Sequence, residues 1–541
     1  MEEWWRGGVI YQIYPRSYQD SNDDGIGDLA GITSRLEYIS ELGVDGIWIS
    51  PIFTSPMKDM GYDVSDYRDI DPIFGDLNDF DKLVEKAHSL GLKVMIDQVL
   101  SHSSDQHPFF KDSRQDREND KSDWYVWADP LPNGAPPNNW LSIFEGIAWE
   151  WESRRKQYYQ HNFLVSQPDF NFHNTEVREW LKSNVKFWLD RGVDGFRLDT
   201  VNYYFHDSHL RDNPPRNYDR DNPPVNPYYM QDHVYSISQP ENIDFVEELR
   251  ELLDQYGDKA MIGEISNLDL MAEYTSGNNR LHLAYSFELL GPDFSAFHIK
   301  KTVEHFFKIA PKGIPCWSFS NHDVIRHISR WAKHGSSPEA LSKQTAALLL
   351  SLEGSICLYQ GEELGQIETE MEFSELTDPL GKRFWPENKG RDGCRTPMVW
   401  DSNLENTGFS KANPWLPIKL PQASRSMEQQ KNKDSVLSFY KEMLKFRKNS
   451  SALKEGKTLF YDLDDPILSF SRISKDQKLV SVFNLSIKEV SIQFEGLKNI
   501  NDYPSLNSHT EGSTLILGAN GFCFFFVDLD IDVVKLEYKH D

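Results

Sequence analysis

The sequence predicts an α/β protein: a closed (β/α)₈ barrel with a small subdomain inserted after the third strand and an antiparallel β-sandwich domain at the carboxyl end. Three observations predict it. Strand-like runs alternate with amphipathic helix-like runs, eight strand-like runs can be counted, and three long irregular segments each follow one of those runs. The alternation indicates a parallel sheet, and eight units favour closure into a TIM barrel over an open sheet.

The eight strand-like runs are short, apolar and bounded by turn residues, as buried parallel strands are. They are Val9–Tyr14, Gly46–Ile49, Lys93–Val99, Val193–Asp199, Ala260–Ile265, Ala284–Glu288, Trp317–Asn321 and Ile356–Tyr359. Amphipathic runs such as Asp79–Leu90 and Glu176–Leu189 lie between them. No G-x-G-x-x-G follows the first run, which disfavours an open dinucleotide-binding sheet.

The irregular segments set the domain boundaries. Residues 101–174 are too long for a loop and are rich in Trp, Pro and Asn, so we expect an inserted subdomain there. We assign residues 1–100 and 175–456 to the barrel, and residues 457–541, where short alternating apolar runs replace the helical pattern, to the carboxyl-terminal β domain. The last two of these runs, each expected to form a strand, are Thr514–Leu517 and Phe522–Val527. Segments that follow barrel strands lie over the face where barrel enzymes keep their sites.

Composition and charge exclude several classes of partner. Of the 541 residues 39% are hydrophobic, and no apolar run reaches membrane-spanning length. A formal charge of −27 repels nucleic acid and anionic lipid, so we expect neither as a partner. Four scattered cysteines without a C-x-x-C pair, and an amino terminus without the features of a secretory signal, predict a cytoplasmic protein.

The stretch Gly195–Thr200 places an arginine beside an aspartate. Alternate residues of a strand share a face, so Arg197 and Asp199 lie side by side. Because an opposite charge within a few Å lowers a carboxyl pKa by roughly one to three units, we expect Asp199 to be an anion. Taken alone, such a pair is more often a structural ion pair than a functional site.

Two more acids stand at corresponding strand ends. Glu264 ends the fifth run and Asp323 follows the seventh, so with Asp199 we expect three carboxylates in one pocket. Glycoside cleavage needs such a set: an ionised carboxylate to attack the anomeric carbon, a protonated one for the leaving oxygen, and negative charge near the transition state. No zinc signature, P-loop or Ser-His-Asp elbow is present, and we expect no organic cofactor.

Four ordered segments resemble the signature regions of the α-amylase superfamily, glycoside hydrolase family 13. They are Asp97–His102, Gly195–Thr200, Gly263–Glu264 and Phe319–Asp323. The likeness extends over the barrel, the insertion and the carboxyl-terminal domain. Three further segments resemble the α-glucosidase and oligo-1,6-glucosidase group: Val9–Ser17, Gly61–Tyr67 and Gly390–Met398.

The resemblance implies a role for each acid. Asp199 corresponds to the nucleophile and Glu264 to the general acid/base. Asp323 corresponds to the residue that holds the 2- and 3-hydroxyls of the sugar and favours the distorted transition state. Arg197 would orient Asp199.

The resemblance also implies the residues that bind the sugar. His102 and His322 would donate to hydroxyls of the same glucose, while Asp63 and Arg395 resemble the pair that grips the non-reducing end and closes the pocket. A closed pocket means removal of one glucose at a time. Group members that prefer α-1,4 bonds tend to carry Thr after the nucleophile, as Thr200 here, and α-1,6 enzymes tend to carry Val; such pocket discrimination is worth about 1–3 kcal/mol.

These expectations combine into one function with stated alternatives. We expect a retaining, exo-acting α-glucosidase that hydrolyses terminal α-1,4-linked glucose from maltose and short α-glucosides, with glucosyl transfer to other acceptors as a further outcome. The alternatives are an oligo-1,6-glucosidase or a sucrose-acting glucosyltransferase or isomerase. A non-catalytic interaction protein, like the transporter heavy chains that resemble this family, would generally lack the carboxylates and carry a membrane anchor. We expect a monomer or homodimer.

One loop has the oxygen spacing of an EF-hand, with the terminal Glu replaced by Gly31. Its side-chain ligands would be Asp20, Asn22, Asp24 and Asp28, with the carbonyl of Ile26. We expect a structural Ca²⁺ or Mg²⁺ there, remote from the reaction; the alternative is an acidic turn. Ser101, by contrast, stands where many superfamily members have the Asn that helps to bind calcium in amylases, so we expect no amylase-type calcium site at the insertion.

Overall fold

A computed structural model of the chain describes residues 3–144, 146–431, 434–494, 503–529 and 536–538. Eight parallel strands form the central sheet: β1 Val9–Ile13, β2 Gly46–Ile49, β3 Lys93–Gln98, β4 Gly195–Leu198, β5 Ala260–Glu264, β6 Leu283–Tyr285, β7 Cys316–Trp317 and β8 Ser355–Tyr359. Their order is β6-β5-β4-β3-β2-β1-β8-β7. A parallel bridge between Ala284 and Pro315 joins the two sheet edges, so the sheet curls into a barrel.

All eight predicted strands are confirmed, seven of them with shifted ends. The largest difference is at β7, which ends at Trp317 although the apolar pattern predicted a strand to Asn321. The residues after Trp317 form hydrogen bonds with nearby loop and helix residues instead of continuing the sheet. For example, the Ser320 hydroxyl lies 2.8 Å from Nδ1 of His327. This early end leaves His322 and Asp323 on the loop above the barrel.

The helices lie around the barrel and between the strands. Those of six or more residues are Leu29–Ser34, Leu36–Leu42, Leu77–Ser89, Pro108–Ser113, Thr175–Asp190, Glu241–Asp254, Leu268–Thr275, Ala296–Ile309, Pro338–Leu349, Pro379–Phe384 and Val436–Asn449. Shorter helices span His327–Arg330, Leu420–Ala423, Met427–Gln430 and Ser451–Glu455. No helix within the described ranges is long and apolar enough to cross a bilayer.

Helix Thr175–Asp190 shows how the sequence positions the central strand β4. Asn174 caps it by accepting a hydrogen bond from the backbone N–H of Glu176. Its buried face, including Leu181, Val185 and Trp188, follows helical spacing and packs against the barrel. The helix then ends at a glycine turn and delivers Arg197 and Asp199 to the carboxyl-end face.

The segment after β3 forms a separate small sheet. Its antiparallel strands are Trp127–Ala128, Trp149–Glu152 and Gln157–Gln160, with the last one in the middle. An antiparallel bridge between His102 and Asp169 joins the two ends of the segment where it leaves and rejoins the barrel. The insertion therefore rises directly beside His102.

The carboxyl-terminal domain is an antiparallel sheet with seven strands among the described residues. They are Lys457–Phe460, Ile467–Ile473, Lys478–Asn484, Val490–Phe494, Leu506–Glu511, Thr514–Val527 and Leu536–Tyr538. The sequence predicted two strands, Thr514–Leu517 and Phe522–Val527, where the structure has one. The strand continues because Asn520, at a left-handed φ of 52°, donates to the carbonyl of His334 and ties the bend to the barrel.

Candidate active site

The carboxyl ends of three adjacent strands bring one arginine into contact with three carboxylates. Asp97 on β3 and Arg197 on β4 are register partners. Nη1 of Arg197 donates to Asp97 at 2.9 Å and to Asp199 at 2.7 Å, and Nη2 lies 2.7 Å from Glu264 Oε2. Arg197 is fully buried. Asp199 and Glu264 therefore lie side by side on one rigid guanidinium.

The third predicted acid, Asp323, comes from the loop after β7. Its Oδ1 accepts from Nη2 of Arg395 at 2.9 Å, and its Oδ2 lies 3.3 Å from Nε2 of His322. The side chains of Asp199, Glu264 and Asp323 keep exposed fractions of 8%, 9% and 20%, so none of the three acids is sealed off from solvent.

The protonation of the paired acids differs from the sequence prediction. Burial, together with the nearby charges of Asp97 and Asp323, raises the pKa of Asp199 to about 7 against the opposing charge of Arg197. Burial likewise raises the pKa of Glu264 to about 7. The expectation that Arg197 lowers the pKa of Asp199 was wrong in its net effect, because burial of the carboxyl and the neighbouring acids outweigh the guanidinium. Near neutral pH the pair therefore retains a proton.

Asp323 has the opposite character. Burial alone would raise its pKa, but His322, Arg391 and Arg395 hold it below the usual range. Asp323 is thus a fixed anion next to a pair that shares a proton. One fixed negative charge and one proton-holding pair are the charges that glycoside cleavage requires.

Thr200 contacts both members of the pair. Its backbone N–H donates to Oε2 of Glu264 at 3.1 Å, and its hydroxyl lies 3.3 Å from Oδ2 of Asp199. Thr200 has φ 42° and ψ 51°, a left-handed conformation that is strained for a β-branched residue. Such a strained conformation persists where surrounding contacts hold it. Here it lets the backbone N–H and the hydroxyl of Thr200 contact two different carboxylates.

The two predicted histidines are linked through Tyr62. His102 Nε2 lies 3.0 Å from the carbonyl of Tyr62, and His322 Nε2 lies 2.5 Å from its hydroxyl. Burial lowers the pKa of His102 to about 4 and that of His322 well below its usual range, so both rings are neutral near pH 7. A neutral ring both donates and accepts hydrogen bonds.

Asp63 and Arg395, the pair expected at the closed end of the pocket, have different polar partners in the structure. Asp63 accepts from the Ser55 hydroxyl and from the backbone of Lys58, whereas Arg395 binds Asp323. Asp63 and Arg395 thus have different partners and do not form an ion pair with each other.

An ion pair that the sequence did not predict spans this end of the pocket. Nη2 of Arg391 lies 2.8 Å from Asp59, and its Nη1 lies 3.3 Å from Asp323. The ring of Phe144, from the insertion, stacks 5.2 Å from the Arg391 guanidinium. The structure therefore joins segments after β2, β3, β7 and β8 at one point.

Two other site residues were missed. Asp97, within the first of the four recognised segments, accepts a hydrogen bond from Arg197. Tyr285, at the end of β6, accepts one from Arg197 at 2.8 Å through its hydroxyl. Both stand at strand ends on the same face as Asp199. Applying the strand-end rule to every strand would have found them; no local signal identifies Asp59 and Arg391.

In the EF-hand-like loop, the aspartates accept hydrogen bonds from the backbone of the loop itself. Asp20, Asp24 and Asp28 each accept backbone N–H hydrogen bonds from within residues 20–31. Carboxylate, amide and carbonyl oxygens are the ligands that Ca²⁺ and Mg²⁺ take, so the donor chemistry fits. In the ranges described, however, no group of three or more His, Cys, Asp or Glu side chains is arranged to hold a metal ion.

The barrel with its carboxylates places the chain among the glycoside hydrolases. The model of the alpha amylase catalytic domain family matches residues 12–456, well over half of the chain. The chain therefore belongs to the alpha amylase family, as the four sequence segments predicted.

Similar proteins cover nearly the whole chain. A probable alpha-glucosidase of Rhizobium meliloti (strain 1021) is 53% identical over 494 residues, 90% of each chain. An oligo-1,6-glucosidase of Heyndrickxia coagulans is 35% identical over 91% of this chain and 94% of its own. Among solved structures, an alpha-glucosyl transfer enzyme superposes with a TM-score of 0.93 at 51% identity, over 97% of this chain and all of that one.

Proposed function

We propose that this protein is a retaining, exo-acting α-glucosidase that hydrolyses terminal α-1,4-linked glucose from maltose and short α-glucosides. The observation that carries the proposal is the contact of Asp199 and Glu264 with the two terminal nitrogens of Arg197. Two carboxyls held side by side, with one proton between them near neutral pH, supply a nucleophile and an acid together.

The reaction assigns each acid a step. Asp199 attacks the anomeric carbon and forms a glucosyl-enzyme, while Glu264 gives its proton to the leaving glycosidic oxygen. Glu264, now ionised, takes a proton from water, and that water releases glucose from Asp199 with the original configuration. Arg197 holds both acids in place throughout because it is buried and bound to them at 2.7 Å.

The surrounding residues support recognition of a single glucose. Asp323, next to His322 on the loop after β7, accepts hydrogen bonds as a fixed anion, which suits sugar hydroxyls. His102 and His322 are neutral and both contact Tyr62. We assign closure of the non-reducing end to Asp59 and Arg391, since their ion pair joins the loops after β2 and β8.

A substrate panel tests this proposal. Purified protein is incubated with maltose, isomaltose and sucrose, and the products are followed by chromatography. The proposal predicts glucose from maltose at the highest kcat/KM. Preference for isomaltose would make the protein an oligo-1,6-glucosidase, and isomerised or transferred products from sucrose would make it a glucosyltransferase or isomerase.

Glucosyl transfer is the second candidate outcome. The likeness to an alpha-glucosyl transfer enzyme at 51% identity favours it, and the same glucosyl-enzyme serves both reactions. Water gives hydrolysis, and an acceptor hydroxyl gives transfer. Adding a small alcohol to the maltose reaction distinguishes them, because transfer raises the amount of glucoside while lowering free glucose.

We also propose three further properties of the protein: a bound structural ion, a cytoplasmic location, and a monomeric or homodimeric state. We propose a structural Ca²⁺ or Mg²⁺ held by Asp20, Asn22, Asp24, Ile26 and Asp28; melting in the presence of each ion and of EDTA tests it. The four cysteines are all buried and unpaired, which suits the reducing cytoplasm. A monomer or homodimer is expected, and light scattering on the purified chain distinguishes the two.

A further inference from the structure

Ser101 lies between the sugar-binding and nucleophilic parts of the site. Its hydroxyl is 2.9 Å from Nδ1 of His102 and 3.1 Å from the hydroxyl of Thr200. Thr200 in turn lies 3.3 Å from Oδ2 of Asp199. Ser101 is 1% exposed, so these are its available partners. A continuous chain of hydrogen bonds therefore runs from a histidine of the pocket to the predicted nucleophile.

The directions of these bonds follow from counting protons. Nε2 of His102 lies 3.0 Å from the carbonyl of Tyr62, which can only accept, and 3.2 Å from the amide nitrogen of Gln167, which can only donate and also donates to Asp59 at 3.1 Å. We assign the hydrogen to Nε2 on the shorter of its two contacts, the one to the Tyr62 carbonyl. Nδ1 is then an acceptor, and the single proton of Ser101 goes to it. The remaining proton, on Thr200, faces two acceptors: Oδ2 of Asp199 and Oγ of Ser101.

The two oxygens of Asp199 are held unequally. Oδ1 accepts a charge-assisted bond from Arg197 at 2.7 Å, whereas Oδ2 has only the longer contact from Thr200. Oδ2 is thus the oxygen more easily freed to attack carbon. When the Oδ2–carbon bond forms, the glycosidic bond breaks and Glu264 gives its proton to the leaving oxygen. Oδ2 then becomes an ester oxygen and a poor acceptor for Thr200.

We propose that Ser101 is a positioning residue of the reaction: it fixes the Nε2–H form of His102 and accepts a hydrogen bond from the Thr200 hydroxyl while glucose is bonded to Asp199. This role rests on the proposed function. Ser101 needs no contact with the substrate, because it acts through His102 on one side and Thr200 on the other. Without it, Nδ1 of His102 loses its donor and Thr200 has no second acceptor.

The test measures kcat and KM for maltose and p-nitrophenyl α-glucoside in a set of variants. Ser101→Ala removes the hydroxyl, Ser101→Thr keeps it, and Thr200→Val removes the neighbouring one. The double variant of Ser101→Ala with Thr200→Val completes the cycle. Ser103→Ala is the matched control, since Ser103 is also buried in this segment but bonds to Tyr125, away from the acids.

Ser101→Ala should lower kcat about tenfold with a smaller change in KM, the effect of one lost buried hydrogen bond. Ser101→Thr should retain activity within about threefold, and Ser103→Ala should match the wild type. The double variant should be no slower than the slower single variant, because both changes break one chain of hydrogen bonds.

Two results would overturn the role of Ser101 without affecting the proposed function. One is a wild-type kcat in Ser101→Ala, and the other is a double variant whose fold-loss in kcat is the product of the two single losses. If Ser101→Ala does not fold by circular dichroism, Ser101→Cys, which keeps the volume with a weak donor, is judged by the same criteria. A wild-type protein that releases no glucose from either substrate would refute the proposed function, and the role of Ser101 with it.

Discussion

Asp199 and Glu264 contact the two terminal nitrogens of the same arginine, each at 2.7 Å. Asp97 is a third carboxyl on that guanidinium, at 2.9 Å. One positive charge is thus opposed by three acids in a buried site, so the full set cannot ionise without cost. The shared arginine therefore does two things: it fixes the separation of the acids and keeps a proton among them.

The pH dependence of kcat/KM should be bell-shaped with its maximum near about pH 7. Burial raises the pKa of both Asp199 and Glu264 to about 7. Below this range both acids are protonated and no nucleophile exists; above it both are ionised and no acid exists. Steady-state rates from pH 4 to pH 10 measure it, with a fall of about tenfold per pH unit on each limb. A maximum near pH 4, or a flat profile above pH 7, would contradict the shared proton.

Glu264→Gln should stabilise the fold at alkaline pH. A carboxyl whose pKa is raised on folding from about 4.3 to about 7 stabilises the protein below the lower value, and that stability is lost as the pH rises through the higher one. Removing the charge should therefore raise the free energy of unfolding at pH 8 by on the order of 1–3 kcal/mol, and Tm with it. It should have little effect on either quantity near pH 4.

Thermal melts across this pH range measure the Glu264→Gln effect. Glu251→Gln, on the exposed face of helix Glu241–Asp254, is the matched control and should change Tm little at either pH. Equal stabilisation by Glu264→Gln at pH 4 and pH 8 would show that the charge of Glu264 is not the cause.

Asp59→Asn should weaken binding of glucose at the closed end of the pocket. The change removes the charge that pairs with Arg391 at 2.8 Å, while Arg391 keeps its contact with Asp378. We expect KM for maltose to rise about tenfold, the loss of one charged hydrogen bond, with a smaller change in kcat. Asp105→Asn, which breaks the exposed pair with Lys58, is the control; equal KM values for Asp59→Asn and wild type would refute closure by this pair.

Thr200→Val should shift the bond preference from α-1,4 towards α-1,6. The hydroxyl that contacts Asp199 and Ser101 is replaced by a methyl on the pocket wall. Discrimination of about 1–3 kcal/mol corresponds to a change of about 5- to 150-fold in the ratio of kcat/KM for maltose to that for isomaltose. Thr275→Val, on helix Leu268–Thr275 and bonded to Met271, should leave the ratio unchanged. An unchanged ratio in Thr200→Val would remove Thr200 from linkage selection.

The sequence predicted the barrel and the acids for physical reasons that held. Short apolar runs bounded by turns identified all eight strands, and polar residues at the ends of those strands identified Asp199, Glu264 and Asp323. It failed on the pKa of Asp199, because a strand shows its own neighbours, Arg197 here, but neither how deeply the carboxyl is buried nor the acids that adjacent strands contribute.

Loops were the other source of error. The ion pair of Asp59 and Arg391 joins residues more than three hundred positions apart, and no periodic pattern relates such loops. Their approach depends on how the segments after β2 and β8 fold over the barrel. The continuous strand Thr514–Val527 was missed for a related reason: Asn520 is anchored by the barrel, outside its own domain.

Covalent trapping tests the central claim most directly. The protein is incubated with 5-fluoro-α-D-glucosyl fluoride, digested with trypsin and analysed by mass spectrometry. The claim predicts one fluoroglucosyl group on Asp199, within the peptide Leu198–Arg211, and none on Asp199→Asn. A label on any other residue, or turnover of maltose by Asp199→Asn at the wild-type rate, would contradict it.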